Sequence, residues 1–252
     1  MKSTLFETAV ISGTGLTSIP GLDKPETLEV GTKFGAVELE RYFYRDRPLI
    51  YLPRHGKQLR LPPHKINYRA NLLALKQCGV GRVIAINTVG GINNNAGPGT
   101  IVLPDQIIDY TYGREHTFFD EPMENSCGES MHSDFTEPFS PELRDVVVKQ
   151  SVFLGQFMQS RGVYGCVQGP RLETAAEIEK LRRDGCDIVG MTVMPEAALA
   201  REIELHYVSV CVVVNWAAGI NSGKIKVTEM NQNLSNTSKN LWTLIFKTVN
   251  LL

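Results

Sequence analysis

The sequence predicts an α/β fold of three layers, in which helices cover both faces of a central, mixed sheet. Short apolar runs alternate with longer amphipathic segments along the 252 residues, an order typical of α/β proteins. No linker-like stretch separates two halves, so we expect residues 1–252 to form a single domain. The formal net charge is −1, which argues against an extended surface for polyanions.

The predicted strands are short apolar runs, and the predicted helices carry apolar residues at helical spacing. We expect strands at Thr8–Ser12, Pro48–Leu52, Arg82–Ile86, Gly162–Val167, Asp187–Val189 and Val208–Val214. We expect helices at Asn67–Gln77, Pro141–Phe157, Thr174–Arg183, Pro195–Glu204 and Thr228–Asn250. Gly79 suits the end of the first helix, and Pro195 suits a first helical turn. Residues 112–139 are the least regular and predict a long loop with a functional or interface role.

Composition argues against several classes of protein. The first residues lack the apolar core of a signal peptide, and no apolar run is long enough to span a bilayer. The five cysteines are scattered without a CxxC spacing, which predicts a reducing, cytoplasmic location and neither a disulfide framework nor a zinc site. Cys166, Cys186 and Cys211 lie in or beside apolar runs, so we expect buried, inert thiols there rather than nucleophiles.

Glycines follow the first predicted strand in the segment Gly13-Thr14-Gly15. Backbone N–H groups of such a segment can approach an anion, and Thr14 adds a hydroxyl. Position 18 is serine, so the dinucleotide-binding fingerprint is incomplete, and no GxxxxGK[ST] segment occurs in the chain. A plain tight turn explains the same residues equally well.

Two further strand ends carry groups suited to an anion. Arg54 and His55 follow the second strand, and a guanidinium fork beside an imidazole suits phosphate; a surface arginine and a packed histidine are the alternative. Thr88 lies in the segment Asn87–Gly91 after the third strand, where two glycines leave backbone N–H groups uncovered. A simple turn into a loop is the alternative for that segment.

An acid and an amide occupy positions where neither suits a core. Glu173 follows a Gly-Pro turn and precedes a helix, and Asn215 ends an apolar strand. A carboxylate only accepts hydrogen bonds, whereas an amide also donates them, so the pair suits a ring edge with N–H beside C=O, as in a 6-oxopurine. Between them along the chain, Thr192 offers an anion a hydroxyl. Met191 offers a sugar an apolar surface, although a core position explains Met191 as well.

These groups are expected to converge on one pocket, because ligands bind outside the carboxyl ends of strands in open α/β sheets. Phosphate beside a purine is the reactant pair of nucleoside phosphorolysis. That reaction requires no metal and no organic cofactor, and inorganic phosphate is its co-substrate.

The chain resembles the trimeric branch of the purine nucleoside phosphorylase and methylthioadenosine phosphorylase family over nearly its whole length. The most specific matching segments are Gly-Thr-Gly-Leu from Gly13, Arg-His-Gly from Arg54, Pro-His-Lys-Ile-Asn-Tyr-Arg-Ala-Asn from Pro63, Gly-Pro-Arg-Leu-Glu-Thr from Gly169 and Gly-Met-Thr-Val-Met-Pro-Glu-Ala from Gly190. The resemblance implies a nucleoside phosphorylase fold and a pentosyltransferase activity in purine salvage.

The resemblance also implies a role for individual positions. The family's phosphate-binding positions match Thr14, Arg54, His55, Thr88 and Thr192. Met191 matches a ribose contact, while Glu173 and Asn215 match the residues that read the base. On this basis we expect Asn215, Glu173 and His55 to take part in catalysis. We expect the substrate pocket to be completed by Leu172, Ala217 and His132.

The chain departs from the methylthioadenosine enzymes at the base-reading positions. Those enzymes carry serine where this chain has Glu173, and Asp-x-Asp where it has Asn215-Trp216-Ala217. A carboxylate accepts from N1–H, which hypoxanthine and guanine have and adenine lacks, and Asn215 can donate to O6 and accept from N7–H. A buried polar group without a partner costs on the order of 1–3 kcal/mol, so two mismatches disfavour adenine by roughly 10²-fold.

The resemblance favours S-methyl-5′-thioinosine as the substrate. It implies a homotrimer in which His132 reaches the neighbouring subunit's pocket and the C-terminal helix, around residues 227–230, covers the 5′ end of the sugar. His64 is expected near the 5′ pocket or at the cap of the following helix. A general inosine/guanosine phosphorylase, a methylthioadenosine phosphorylase and a non-catalytic purine-binding protein are the alternatives. Neither nucleic acid nor membrane is expected as a partner.

Overall fold

The computed structural model describes residues 7–13, 15–16, 18–58, 61–119 and 132–252. The strands are β1 (Glu7–Ser12), β2 (Glu26–Thr32), β3 (Gly35–Tyr44), β4 (Arg47–Pro53), β5 (Val80–Gly91), β6 (Ile101–Val102), β7 (Gln106–Asp109), β8 (Met158–Gln159), β9 (Val163–Cys166), β10 (Ile188–Gly190) and β11 (His206–Trp216). The helices are α1 (Tyr68–Gln77), α2 (Pro141–Phe153), α3 (Ala175–Arg183), α4 (Val193–Glu202) and α5 (Val227–Val249), and a 3-10 turn spans Pro63–Lys65.

The strands form one mixed sheet with β5 at its centre. The main path is β2-β3-β4-β1-β5-β10-β9-β7, and β11 pairs with β5 and β6. One edge of β5 is parallel to β1 as far as Ile11 opposite Ala85, and the other is parallel to β11. Beyond the end of β1, β10 runs antiparallel to β5, with Val189 opposite Gly90. The predicted mixed sheet is therefore confirmed.

Two apolar cores cover the two faces of this sheet. On one face α1 and α4 pack through residues such as Leu72 and Leu199. On the other face α2 and α5 pack through residues such as Leu143 and Leu241. Burying a side chain of this size stabilises the fold by about 1.5–3 kcal/mol. The predicted three-layer α/β/α architecture is confirmed.

The predicted helices form, and local chemistry explains their ends. Asn67 caps α1, and Thr174 with Glu177 forms a capping box at α3, which satisfies N–H groups that the first turn leaves open. Helix α2 ends at Phe153 rather than at the predicted residue 157. Gly155, with a φ of +62°, turns the chain there.

Two parts of the sheet differ from the sequence-based expectation. The hairpin of β2 and β3 was not predicted, because β2 is largely exposed and carries no apolar run; its partner strand buries Val37 and Leu39 on one face. The segment Asn87–Gly91 is not a loop, because β11 continues to supply a partner and β10 joins the other edge. Thr88 therefore lies on a strand. Among the residues described, no helix combines the length and apolar character that a bilayer span requires.

Candidate active site

One pocket lies where the predicted polar groups meet, beyond β1, β4 and β11. Its volume is about 210 Å³. The predicted residues in its lining are Arg54, His55, Thr88, Leu172, Glu173, Met191, Thr192 and Asn215. The antiparallel register of β10 on β5 explains the arrival of Met191 and Thr192, because the chain that leaves β10 runs back beside Thr88. The expected convergence on one pocket is thus present in a single chain.

Arg54 follows β4 and is only 1 % exposed. Glu196 of α4 binds the guanidinium at two points, with Nε to Oε2 at 2.7 Å and Nη2 to Oε1 at 2.8 Å. Nη1 donates to the carbonyl oxygen of Ile86 at 3.0 Å. Burial disfavours the charged form, but the Glu196 carboxylate keeps the pKa of Arg54 above its usual value. Arg54 is therefore a permanent cation in the pocket wall, and a buried acid balances its charge.

The ring of His55 is oriented by one hydrogen bond. Its Nδ1 lies 2.7 Å from the carbonyl oxygen of Leu61, which only accepts, so Nδ1 carries a proton. Burial, with the nearby charge of Arg54, lowers the pKa of His55. The ring is therefore neutral at pH 7, and Nε2 is an acceptor. A hydrogen bond donated from His55 to phosphate, as the sequence predicts, requires the imidazolium form; a neutral ring can only accept from a protonated phosphate oxygen.

A buried chain of hydrogen bonds orients Thr192. Its hydroxyl donates to Asn87 Oδ1 at 2.7 Å, and Asn87 Nδ2 donates to Ser209 Oγ at 2.7 Å. Ser209 Oγ lies 3.2 Å from Cys211 Sγ. All of these residues are at most 8 % exposed, and a satisfied buried network holds its members in one arrangement. The Thr192 hydroxyl is thus positioned from behind by β5 and β11.

Glu173 and Asn215 line the pocket from different elements. Glu173 directly precedes the capping residue Thr174, and burial raises the pKa of its carboxyl. Asn215 Nδ2 donates to the carbonyl oxygen of Trp216 at 2.7 Å. One amide N–H and Oδ1 of Asn215 are left to meet a ligand, so this side chain offers a donor beside an acceptor.

A β-bulge places Asn215 at the end of β11. Val213 lies opposite Val89, whereas Asn215 lies opposite the next residue, Gly90, so Val214 is an extra residue in the ladder. A bulge of this kind bends the strand and re-aims its side chains. A Cβ at Gly90 would lie 3.4 Å from Asn215 Nδ2, so glycine keeps space open beside the amide.

Apolar side chains form another part of the lining. They are Leu16, Pro63, Val214 and Met230, which come from the segment after β1, the 3-10 turn, β11 and α5. Met191 is held close to Gly169, where a Cβ would lie 2.5 Å from the methionine Sδ and where φ is +63°. Glycine is required at that position on both counts.

Arg114 is a buried residue that the sequence analysis did not single out. Its Nη1 donates to the carbonyl oxygens of Met191 and Met194 at 2.8 and 2.6 Å. Its Nη2 donates to the carbonyl oxygen of Gln168 at 2.8 Å, and Nε donates to Gln168 Oε1 at 3.0 Å. Arg114 therefore ties the segment that carries Met191 and Thr192 to the segment that leads to Glu173.

Glu196 and Asn87 were also missed as parts of the site, and each gave a signal. Glu196 is an acid within the apolar segment Val-Met-Pro-Glu-Ala-Ala-Leu-Ala, and a buried acid needs a partner such as a strand-end arginine. Asn87 is an amide inside an apolar run. Arg114 gave no such signal, because it lies in a polar, irregular stretch.

Other predicted positions lie outside the lining. Ala217 is 2 % exposed and packs with the third apolar cluster, behind the pocket wall rather than in it; the tight turn after Asn215 draws its N–H to the carbonyl oxygen of Gly91 at 2.8 Å. His132 is exposed, and its expected role in a neighbouring subunit's pocket stays a prediction. Asn67, not His64, caps α1. Thr14 lies outside the described residues.

The cysteines behave as the sequence predicts. Burial raises the pKa of Cys166 and of Cys211 to about 12 and that of Cys186 to about 11, so these thiols stay protonated and inert. Within the described ranges, no group of three or more His, Cys, Asp or Glu side chains is arranged to hold a metal ion.

Comparison with known proteins gives consistent results. A profile of the Phosphorylase superfamily matches residues 7–250. A "Probable S-methyl-5′-thioinosine phosphorylase" from Pseudomonas syringae is 49 % identical over 228 residues, which cover 90 % of this chain and 91 % of that protein. A "6-oxopurine nucleoside phosphorylase" from Pyrococcus furiosus is 42 % identical over 245 residues, which cover 97 % of this chain and 92 % of that protein.

A solved structure of methylthioadenosine phosphorylase from Schistosoma mansoni in complex with adenine is also similar. The TM-score is 0.90 at 28 % identity, with 98 % of this chain and 91 % of that chain covered. This chain therefore shares its architecture with an adenine-binding enzyme, and its preference for a base depends on side chains rather than on the fold.

Proposed function

Because the chain belongs to the Phosphorylase superfamily, we propose that it catalyses the phosphorolysis of a 6-oxopurine nucleoside, with S-methyl-5′-thioinosine as its preferred substrate. The products are hypoxanthine and 5-methylthioribose 1-phosphate. The observation that carries the proposal is that Glu173 and Asn215 line one pocket together with Arg54 and Thr192. The names of the relatives from Pseudomonas syringae and Pyrococcus furiosus agree with it.

Glu173 and Asn215 read the base in this proposal. The Glu173 carboxylate accepts from N1–H, and the free N–H of Asn215 donates to O6 while its Oδ1 accepts from N7–H of the leaving purine. Adenine offers no N1–H and presents an amino group at position 6, so both contacts fail. Two unsatisfied contacts of about 1–3 kcal/mol each favour the 6-oxopurine.

Phosphate lies against Arg54, His55, Thr88 and Thr192, below C1′ of the ribosyl group. The bond from C1′ to N9 breaks as phosphate oxygen bonds to C1′, and the electron pair of the broken bond moves into the purine. Asn215 stabilises the negative charge that develops at O6 and N7. The chain thus acts by positioning and by electrostatic stabilisation, and inorganic phosphate is a co-substrate rather than a cofactor.

The apolar lining supports the choice of the 5′ substituent. Leu16, Pro63 and Met230 offer no hydrogen bond, so a methylthio group fits there, whereas a 5′-hydroxyl left without a partner costs about 1–3 kcal/mol. A homotrimer completes this end of the pocket with His132 of a neighbouring subunit. The cytoplasm supplies the reduced thiols and the phosphate that this activity needs.

A general inosine phosphorylase is the second candidate, and one observation favours it. His64 follows Pro63 of the lining, and its Nδ1 is buried without a hydrogen-bond partner among the described residues. A 5′-hydroxyl is a suitable partner for that nitrogen. Only the 5′ group differs between inosine and S-methyl-5′-thioinosine, so the two substrates decide between the two functions.

The test is an assay of base release from S-methyl-5′-thioinosine, inosine, guanosine and methylthioadenosine, each with and without phosphate. We expect release to require phosphate and kcat/KM to be highest for S-methyl-5′-thioinosine. A higher value for inosine selects the second candidate. Faster cleavage of methylthioadenosine refutes the assignment of Glu173 and Asn215, and tight purine binding without any phosphate-dependent release identifies a non-catalytic purine-binding protein.

A further inference from the structure

We propose that Glu196 is a positioning and charge-balancing residue of the phosphate site. It holds the guanidinium of Arg54 in one orientation and cancels its charge, so that phosphate meets a set of hydrogen-bond donors in a nearly neutral wall. This inference rests on the proposed function, because it takes phosphate as the anion that Arg54 meets.

The surroundings of Glu196 are those of a fully committed carboxylate. The residue is 1 % exposed, and its two oxygens accept from Nε and Nη2 of Arg54. Tyr207 donates a third hydrogen bond to Oε1 at 2.8 Å. Burial, followed by the Glu196 charge, raises the pKa of Tyr207 well above its usual range, so its hydroxyl stays a donor. Three donors from two directions fix the carboxylate.

The hydrogen bonds of Arg54 leave a defined edge for a ligand. A guanidinium has five N–H groups, and Glu196 with the Ile86 carbonyl uses one on Nε, one on Nη1 and one on Nη2. One N–H is left on each Nη atom, and such a pair suits two oxygens of one phosphate. Because Glu196 occupies the Nε side, the guanidinium cannot rotate without losing both contacts.

Stability alone does not explain the pair. A buried ion pair is often no more stable than apolar residues of the same volume, whereas breaking one leaves an uncompensated charge. Arg54 also lines the pocket, so its partner sets the potential that an anion meets there. A unit charge about 6 Å away at an effective dielectric constant of about 20 changes the binding of an ion by on the order of tenfold to hundredfold. Glu196 therefore lowers phosphate affinity while it orients the donor.

The decisive variant is Glu196→Gln, which keeps the size of the side chain and removes its charge. Arg54 is then an unpaired buried cation, and inorganic phosphate is the ion that can balance it. We expect a lower Tm than wild type in phosphate-free buffer, a larger rise in Tm on addition of phosphate, and a dissociation constant for inorganic phosphate at least about tenfold lower by calorimetry. We expect kcat to fall, because the donor edge is no longer held.

Glu202→Gln is the matched control, since it makes the same change at the other acid of α4, which accepts from the backbone N–H of Phe118. Its phosphate dissociation constant should equal that of wild type. If Glu196→Gln does not fold, Glu196→Asp serves, because it keeps the charge but shortens the reach. We then expect phosphate affinity within about twofold of wild type and kcat at least about fivefold lower.

A Glu196→Gln protein that binds phosphate no more tightly than wild type overturns the inference. So does a Glu196→Asp protein with wild-type kcat. Phosphate binding is measured without turnover, so this failure is separate from that of the proposed function, which fails only if the wild-type chain releases no base in a phosphate-dependent manner.

Discussion

Replacement of Asn215 by aspartate is the sharpest test of base selection. In the structure Asn215 Nδ2 donates to the carbonyl oxygen of Trp216 at 2.7 Å, and the remaining N–H is the donor assigned to O6. An aspartate only accepts, so the carbonyl loses its donor and the carboxylate faces O6. Two lost contacts of about 1–3 kcal/mol each correspond to a loss of roughly 30-fold to 10⁴-fold in kcat/KM for S-methyl-5′-thioinosine.

The same variant should gain activity on methylthioadenosine, because the new carboxylate accepts from the 6-amino group. The gain is limited to about tenfold, since Glu173 still faces an N1 that carries no proton. Steady-state kinetics on both nucleosides at saturating phosphate measure the two effects, and Asn233→Asp, a change at an amide that donates to the carbonyl oxygen of Val214 outside the lining, is the control. An unchanged ratio of the two kcat/KM values would refute the role given to Asn215.

The remaining predictions concern the acid, the sugar pocket and the sheet. Burial raises the pKa of Glu173 and the carboxyl must be ionised to accept N1–H, so kcat/KM should fall as the pH drops through a value above 4.5; a pH profile of Glu173→Gln should lack that limb and show a uniformly low rate. Met230→Ser should reduce the preference for S-methyl-5′-thioinosine over inosine by about tenfold, which competition between the two substrates measures; an unchanged preference would remove Met230 from the 5′ pocket. Gly190→Ala should destabilise the fold by at least about 1–3 kcal/mol, because the new Cβ would lie 1.9 Å from Tyr164 Oη; a wild-type denaturation midpoint would contradict this packing.

The chemistry of the site was easier to predict than its support. Glu173 and Asn215 stand out in the sequence because a polar group at the end of an apolar element needs a partner, and the structure brings them to one pocket. Glu196 and Arg114 act through contacts with distant segments, such as Ile86 beside Arg54 or Met191 beside Arg114. Those contacts depend on the order of strands, which local patterns do not encode.

The limits of the fold prediction have a similar origin. Helices with clear spacing were placed well, because the signal lies within one segment. The length of β5 was underestimated, since its last residues are held by β10 and β11 rather than by their own apolar character. The β2 and β3 hairpin forms at the edge of the sheet, where exposed polar residues hide the alternation that marks a strand.

The extra residue in β11 separates substrate choice from the fold. Up to Val213 each residue of β11 has a partner in β5, and after Val214 the pairing resumes one step out of phase with Asn215 opposite Gly90. Deleting or adding one residue at Val214 would therefore exchange the side chain offered to the base and leave the ladder beneath it intact. A scaffold built in this way can acquire a new nucleoside through a local change in chain length, without repacking either core.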